Sequence, residues 1–314
     1  MLLGEALVAL LFVAGVLAVF GLAGLLLVGY VSRRFGGTGG VLRFFPRWAR
    51  RAILGLAAIG LACMAYAYFV EPYRLRVTHV RIESPKVPAG ARPIRIVHIS
   101  DLHCDARPRL ETRLPDVIAA EQPDIIVFTG DAANSFEGVP VFQACMKRIA
   151  SIAPTFAVSG NWDGRFGSLR QMLSGTGVRE LVGEAARMPV RGTDVWVAGN
   201  PLDDEGIARL VLQQVPNGAL TLFLYHTPEC IGEVARYGVD LCCVGHTHGG
   251  QVALPFYGAL ITLSSTGKRY EAGLYRVGGT WLYVNRGIGM EGGALRVRFW
   301  ARPEVTVIEI APAG

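Results

Sequence analysis

The stretch from Arg95 to His103, RIVHISDLH, constrains the fold more than any other in the chain. Ile94 to Ile99 is short, mostly β-branched and bounded by Pro93 and Ser100, which reads as a buried strand. Asp101 and His103 follow at once. A spacing of two in extended chain puts both side chains on the same side. A carboxylate and an imidazole aimed together from a strand end suit a divalent metal. Taken alone, D-x-H is more often an ordinary polar loop. The rest of the chain changes that balance by repeating the arrangement.

Further strands are expected at Leu75 to Ile82, Asp124 to Phe128, Thr155 to Val158, Val195 to Ala198, Leu220 to Leu224 and Leu241 to Val244. Helices are expected near Leu110 to Glu121, Val141 to Ile152, Phe166 to Leu173, Glu205 to Gln214 and Ile231 to Tyr237. This alternation argues for a layered α/β domain. Gly273 to Val277 and Thr280 to Val284, joined by Gly278-Gly279, read as a hairpin, and Val305 to Ile310 as a last strand. No repeat or low-complexity segment is visible.

Polar motifs fall at the strand ends. Gly130-Asp131 follows the second core strand and Gly160-Asn161 the third. His226 follows Leu220 to Leu224, and Gly245-His246-Thr247-His248 follows Leu241 to Val244. Open α/β sheets bind ligands at the carboxyl ends of their strands. A glycine before each ligand lets the chain turn sharply and a metal or phosphate come close. The chain has six histidines, and four of them (His103, His226, His246 and His248) occupy these positions. His79 and His98 read as structural, with His98 packed inside its strand.

The N-terminus is of a different kind. Ala6 to Ser32 is an uncharged run of 27 residues and Ala52 to Val70 another of 19. Both are long enough to cross a bilayer. No basic region precedes the first, and it is too long for a signal peptide's apolar segment. The expected organisation is a transmembrane hairpin over 1–70 (helices near 6–31 and 52–70), a connector over 71–92 and a catalytic domain over 93–314. The loop between the runs carries Arg33, Arg34, Arg43, Arg47, Arg50 and Arg51 and no acid. The positive-inside rule places it in the cytoplasm and the domain outside. Arg74, Arg76, Arg81 and Lys86 pull the other way, so topology stays open. Formal net charge is +6. Its arginines cluster beside the membrane segments, which suits anionic lipid rather than nucleic acid. Cys104, Cys145, Cys230, Cys242 and Cys243 are an odd set with two neighbours in one strand, which suits free thiols. Two spans without a charge inside exclude a transporter.

The ordered set Asp101-Leu102-His103, Gly130-Asp131, Gly160-Asn161-Trp162-Asp163, His226 and Gly245-His246-Thr247-His248 resembles the calcineurin-like metallophosphoesterases. The likeness runs from about Ile94 to His248. The tail from Tyr283 to Val305 is similar to the membrane-associated bacterial branch, which includes membrane-linked UDP-2,3-diacylglucosamine pyrophosphatases of lipid A synthesis. The resemblance implies a four-layer αββα sandwich and a site for two divalent ions, manganese, iron or zinc. It implies Asp101, His103 and His248 on the first metal, Asn161, His226 and His246 on the second, and Asp131 bridging. Asp131, Asn161 and His226 are then the catalytic set. Asp163 is expected as partner of a ligating histidine, and Arg286 and Trp162 as substrate contacts. A bacterial inner-membrane phosphohydrolase acting on a lipid-linked or nucleotide-sugar lipid ester follows, with no nucleic acid and no obligatory protein partner. A lipid-linked or general phosphodiesterase, and a non-catalytic scaffold with a retained metal site, stand as alternatives.

One position departs from the pattern. The family usually carries His after the Gly-Asn pair, where this chain has Trp162. An indole donates one hydrogen bond and cannot transfer a proton. Three outcomes stay open: an inactive relative, another proton donor such as Asp163 or a water, or a leaving group that needs no proton. A phosphate monoester leaving from a pyrophosphate has a second pKa of about 6, so pyrophosphate cleavage tolerates tryptophan best.

Overall fold

The computed structural model describes residues 3–201, 207–292 and 296–313. Helices α1 (Leu3–Arg34) and α2 (Arg47–Phe69) come first. At about 1.5 Å per residue they run roughly 48 and 35 Å, each enough for a hydrocarbon core of about 30 Å. Arg33 and Arg34 carry α1 beyond the uncharged run, where cations suit the carboxyl end of the helix dipole. The helices touch where the Phe20 ring lies over Gly60, and an added methyl there would sit 3.0 Å from the ring. Leu7, Leu10, Leu11, Leu17, Ile59 and Leu61 stay exposed. Such a surface points to association with a membrane.

Both free ends of the pair meet the α/β domain. The buried Glu5 carboxylate accepts from the Thr262 N–H at 3.3 Å and from Thr262 Oγ1 at 3.1 and 3.2 Å. At the end of α2, Ala67 O accepts the Arg298 N–H at 3.1 Å. Just beyond, Glu71 Oε1 accepts the Ala301 N–H at 2.7 Å. The Tyr66 and Phe299 rings meet edge to face at 6.3 Å. The arginine-bearing turn therefore lies at the far end of the helical pair.

Among the described residues, two six-stranded sheets form the domain. The first runs β1 (Arg76–Ser84), β14 (Glu304–Pro312), β2 (Ile94–Ile99), β3 (Ile125–Phe128), β4 (Thr155–Ala157) and β5 (Arg179–Glu180). The second runs β12 (Gly273–Val277), β13 (Thr280–Val284), β9 (Leu241–Val244), β8 (Leu220–Leu224), β7 (Thr193–Gly199) and β6 (Glu184–Val190). Its four central strands are parallel, with antiparallel β12 and β6 at the edges. A small ribbon, β10 (Ala253–Leu254) with β11 (Gly258–Ala259), lies apart.

Strand alternation builds the layers. In β2, Ile94 and Ile96 face the second sheet and meet Leu222, Leu224, Leu241 and Cys243. Val97 and Ile99 face outward, onto α3 (Leu114–Ala120), α4 (Val139–Ala150) and α5 (Leu169–Met172). On the far side Phe223, Cys242 and Val244 meet α6 (Ile207–Leu212) and α7 (Ile231–Val234). The result is the expected four-layer αββα sandwich. Neighbouring Cys242 and Cys243 point into different cores, and the cysteines are free, as expected. Of the helix expected at Glu205 to Gln214, the first two residues lie outside the described residues.

Candidate functional site

The polar motifs gather at the carboxyl ends of β2, β3, β4, β8 and β9, where two sheets side by side bring five loops together. Asp101, His103, Asp131 and His226 are fully buried and His248 nearly so. Five motif residues hold left-handed backbone: φ is 49° at Asp101, 42° at His103, 63° at Asp131, 68° at His246 and 52° at His248. Such conformations cost free energy in non-glycine residues and persist where the surroundings fix them. The expected use of glycine needs refinement. Gly130 does turn the chain, with φ 92°. Gly245 instead serves close approach, since a methyl there would run into Ser100 Oγ and Asp101 Oδ2.

Asp101, His103 and His248 present ligand atoms within 4.8 Å of one another. The Nε2 atoms of His103 and His248 are 3.2 Å apart. On the other side Asn161 Oδ1 lies 2.9 Å from His226 Nε2 and 3.1 Å from His246 Nδ1. Asp131 stands between the groups. Its Oδ1 accepts the Trp162 backbone N–H at 2.8 Å. Its Oδ2 is buried without a hydrogen-bond partner, 3.4 Å from both His103 Nε2 and His226 Nε2. A buried carboxylate oxygen without a donor is costly, and a shared cation satisfies it. The donor set of carboxylates, imidazoles and one amide oxygen fits divalent metals.

Three outward imidazole nitrogens, those of His226, His103 and His246, are held as ligand histidines require. His226 Nδ1 donates to Thr129 O at 2.7 Å, and His103 Nδ1 to Asn134 Oδ1 at 3.0 Å. His246 Nε2 donates to Leu263 O at 3.2 Å. His248 Nδ1 faces Arg298 Nη2 at 3.3 Å. Sequence reasoning missed Asn134 and Arg298, which lie in loops without a motif. It also missed Glu291, whose carboxylate approaches His103 and Asp131 and takes the Trp162 indole N–H at 3.2 Å.

One expectation needs correction, and another residue gains a partner that no motif announces. Asp163 touches no imidazole. Its oxygens take the backbone N–H groups of Gly160 at 2.7 Å, Ala132 at 2.7 Å and Asp131 at 3.1 Å, clamping two motif loops together. Arg286 is tied to the buried Glu304 at 3.3 Å, because a buried carboxylate needs a cation. Trp162 does lie at the site, edge-on to His103 at 5.3 Å and under the Arg165 guanidinium at 4.0 Å.

Electrostatics follow from burial. Burial, opposed by His226, pushes Asp101 up to about 7. It would also raise Asp131, yet the His226 and His103 imidazoles hold that carboxyl well below the usual range. Burial alone would lower His226, but Asp131 and Asp101 push it up to about 10. His103 falls to about 4 through burial. The cluster thus behaves as one coupled unit around Asp131.

Comparison with known proteins agrees with this geometry. The family model described as calcineurin-like phosphoesterase matches residues 94–250. An uncharacterized metallophosphoesterase, YkuE of Bacillus subtilis, is 33% identical over 78% of this chain and 88% of its own. The phosphodiesterase YaeI of Escherichia coli is 29% identical over 83% and 99%. The UDP-2,3-diacylglucosamine pyrophosphatase LpxG of Chlamydia trachomatis is 27% identical over 77% and 91%. With half of the chain matched by the family model and the buried donor set in place, the chain belongs to the calcineurin-like phosphoesterases, metal-dependent hydrolases with a dinuclear site.

Proposed function

We propose that this chain is a membrane-anchored phosphohydrolase. In this reading Asp101, His103 and His248 would hold one divalent ion and Asn161, His226 and His246 the other, with Asp131 shared between them. The observation that carries it is the buried, partnerless Oδ2 of Asp131 between two imidazoles. Two divalent ions bound there supply Lewis acidity toward the phosphoryl oxygens and lower the pKa of water. The protein's own groups do the rest. Thr129, Asn134 and Leu263 fix three imidazoles with their lone pairs inward, and Asp163 keeps the Asp131 and Asn161 loops in register. Trp162 and Glu291 close one wall.

The substrate we favour is UDP-2,3-diacylglucosamine, cut at its pyrophosphate. Trp162 supports this choice, since a pyrophosphate leaving group departs as an anion and needs no proton. A lipid-linked phosphodiester is the second reading, favoured by the arginines of the turn. By the positive-inside rule they favour a domain outside the cytoplasm, away from nucleotide-sugar lipids, while Arg74, Arg76, Arg81 and Lys86 pull the other way. Detergent-purified protein with manganese should release UMP from UDP-2,3-diacylglucosamine faster than it cleaves bis(p-nitrophenyl) phosphate. Cleavage of the artificial diester alone moves weight to the second reading. Silence on both, with metal bound, leaves a non-catalytic scaffold.

Two further results are expected. Trp162→His should raise hydrolysis of a methyl phosphodiester by about tenfold or more, because a general acid contributes roughly 10²–10⁴-fold. The nitrophenyl diester, whose leaving group needs no proton, should hardly change. Equal changes for both would refute the assignment. Metal binding should also release a proton from His226. This group is charged at neutral pH in the metal-free protein, and a metal competes with that proton. Affinity at that site should fall by about tenfold per pH unit as pH drops below 10. Calorimetry in two buffers of different ionisation enthalpy reads the proton directly. Zero release would mean that His226 is already neutral before metal binds.

A further inference from the structure

Three large apolar side chains stand out from the domain on the face that receives the helix ends. Phe256 is fully exposed, Leu263 is 53% exposed and Trp300 63%. All three hold left-handed backbone, with φ of 66°, 55° and 58°. Bulky residues rarely adopt it, and those that do cluster at functional sites. Leu263 and Trp300 sit directly beside ties to the membrane helices, and Phe256 beside a cavity that adjoins α1. Leu263 follows Thr262, which holds Glu5 at the start of α1. Trp300 lies between Phe299, packed on Tyr66 of α2, and Ala301, bonded to Glu71. Phe256 precedes Tyr257, which shares a cavity with Gly4, Glu5, Val8, Lys268 and Arg269.

Two of these loops also reach the metal site. Leu263 gives its carbonyl to His246. The Phe299 N–H donates to Gln251 O at 2.8 Å, and the Gln251 side chain holds Glu291 against Trp162. Helices that end on this face put the bilayer surface there. Aromatic and aliphatic side chains beside Lys268 and Arg269 form the composition that lies in an anionic lipid interface.

We propose that Phe256, Leu263 and Trp300 form a rim that dips into the lipid surface. The site then opens onto the interface and takes a phosphoester still anchored there by its acyl chains. This rests on the membrane-anchored phosphohydrolase reading and adds how its substrate arrives. The occupant of the rim is the bilayer itself, continuous with the lipid around α1 and α2.

The test uses the full chain with manganese in anionic phospholipid vesicles. Lipids brominated near the headgroup end of the acyl chains should quench part of the tryptophan emission, and Trp300→Phe should remove that part. Activity is read in parallel with a Phe256→Ser, Trp300→Ser double variant. Its kcat/KM for UDP-2,3-diacylglucosamine in vesicles should fall by about tenfold or more, as lost apolar contact implies. Cleavage of bis(p-nitrophenyl) phosphate in solution should stay within about twofold, since neither side chain touches the metal site. Identical quenching in wild type and Trp300→Phe overturns the rim, as does an equal loss on both substrates. A wild type that cleaves neither substrate refutes the hydrolase reading, while the quenching still decides the docking.

Discussion

Asp131→Asn should abolish turnover and leave the fold intact. Asparagine keeps an oxygen for the Trp162 N–H and nearly the same volume, but it removes the negative charge facing His103 and His226. Bridging two cations with a neutral amide fails electrostatically. The expected loss in kcat is about 10⁴-fold, roughly 5.5 kcal/mol of transition-state stabilisation. Bound manganese, measured by elemental analysis, should fall below two ions per chain. Thermal unfolding should move by only a few degrees, because loss of the attraction to His226 is offset by relief of Asp101 and Asp163. Both of those carboxyls are pushed up in part by Asp131. A variant with wild-type turnover would remove Asp131 from the centre of the site.

The largest loss of stability is expected at Arg298→Met. This side chain is wholly buried. Its guanidinium donates to Gly289 O at 2.9 and 2.5 Å, Ala301 O at 2.8 Å, Arg286 O at 2.9 Å and Gly287 O at 3.3 Å. Methionine fills the space and satisfies none of these carbonyls. The cost is about 3–5 kcal/mol, the range for breaking a buried charged network, which lowers Tm by about 10 °C in a chain of this size. Arg298→Lys should recover less than half, because an ammonium cannot span four carbonyls as a planar fork does. Metal affinity should also fall by about 10–100-fold. The 287–289 loop that Arg298 pins donates from Ile288 to Ser100 O and from Gly289 to Asp101 O. Unchanged melting would mean that water replaces the guanidinium.

The sandwich was legible because its central strands are short, apolar and punctuated. Ile94–Ile99, Leu220–Leu224 and Leu241–Val244 form where the sequence predicts them. β6 was not legible. EAARMPV has no alternation and contains Pro189, which only an edge strand tolerates. Helix starts were misplaced too. The segment expected from Leu110 turns helical only at Leu114, with Pro115 in its first turn. His98 lies buried against Thr129 Oγ1 at 2.9 Å, as its place in a strand implies. His79 sits on the surface with Glu121. At the site, the residues within motifs could be read and those supporting them could not. Asn134, Glu291 and Arg298 are polar residues in irregular loops, and only the folded chain shows that Asn134 and Arg298 are buried and Glu291 half-buried, and what they hold. The partner of Arg286 was hidden for the same reason, since Glu304 is distant from any motif.

The attachment of the helical pair at both its ends has a kinetic meaning. A domain on a single flexible tether tumbles and samples every direction of the solution. Here Glu5 and the Ala67 to Glu71 segment hold it at two separate points, so rotation about a tether is lost. With the pair embedded, orientation and height above the lipid become fixed quantities. For a substrate held in the same lipid, encounter would then reduce to a search in a plane at high effective concentration.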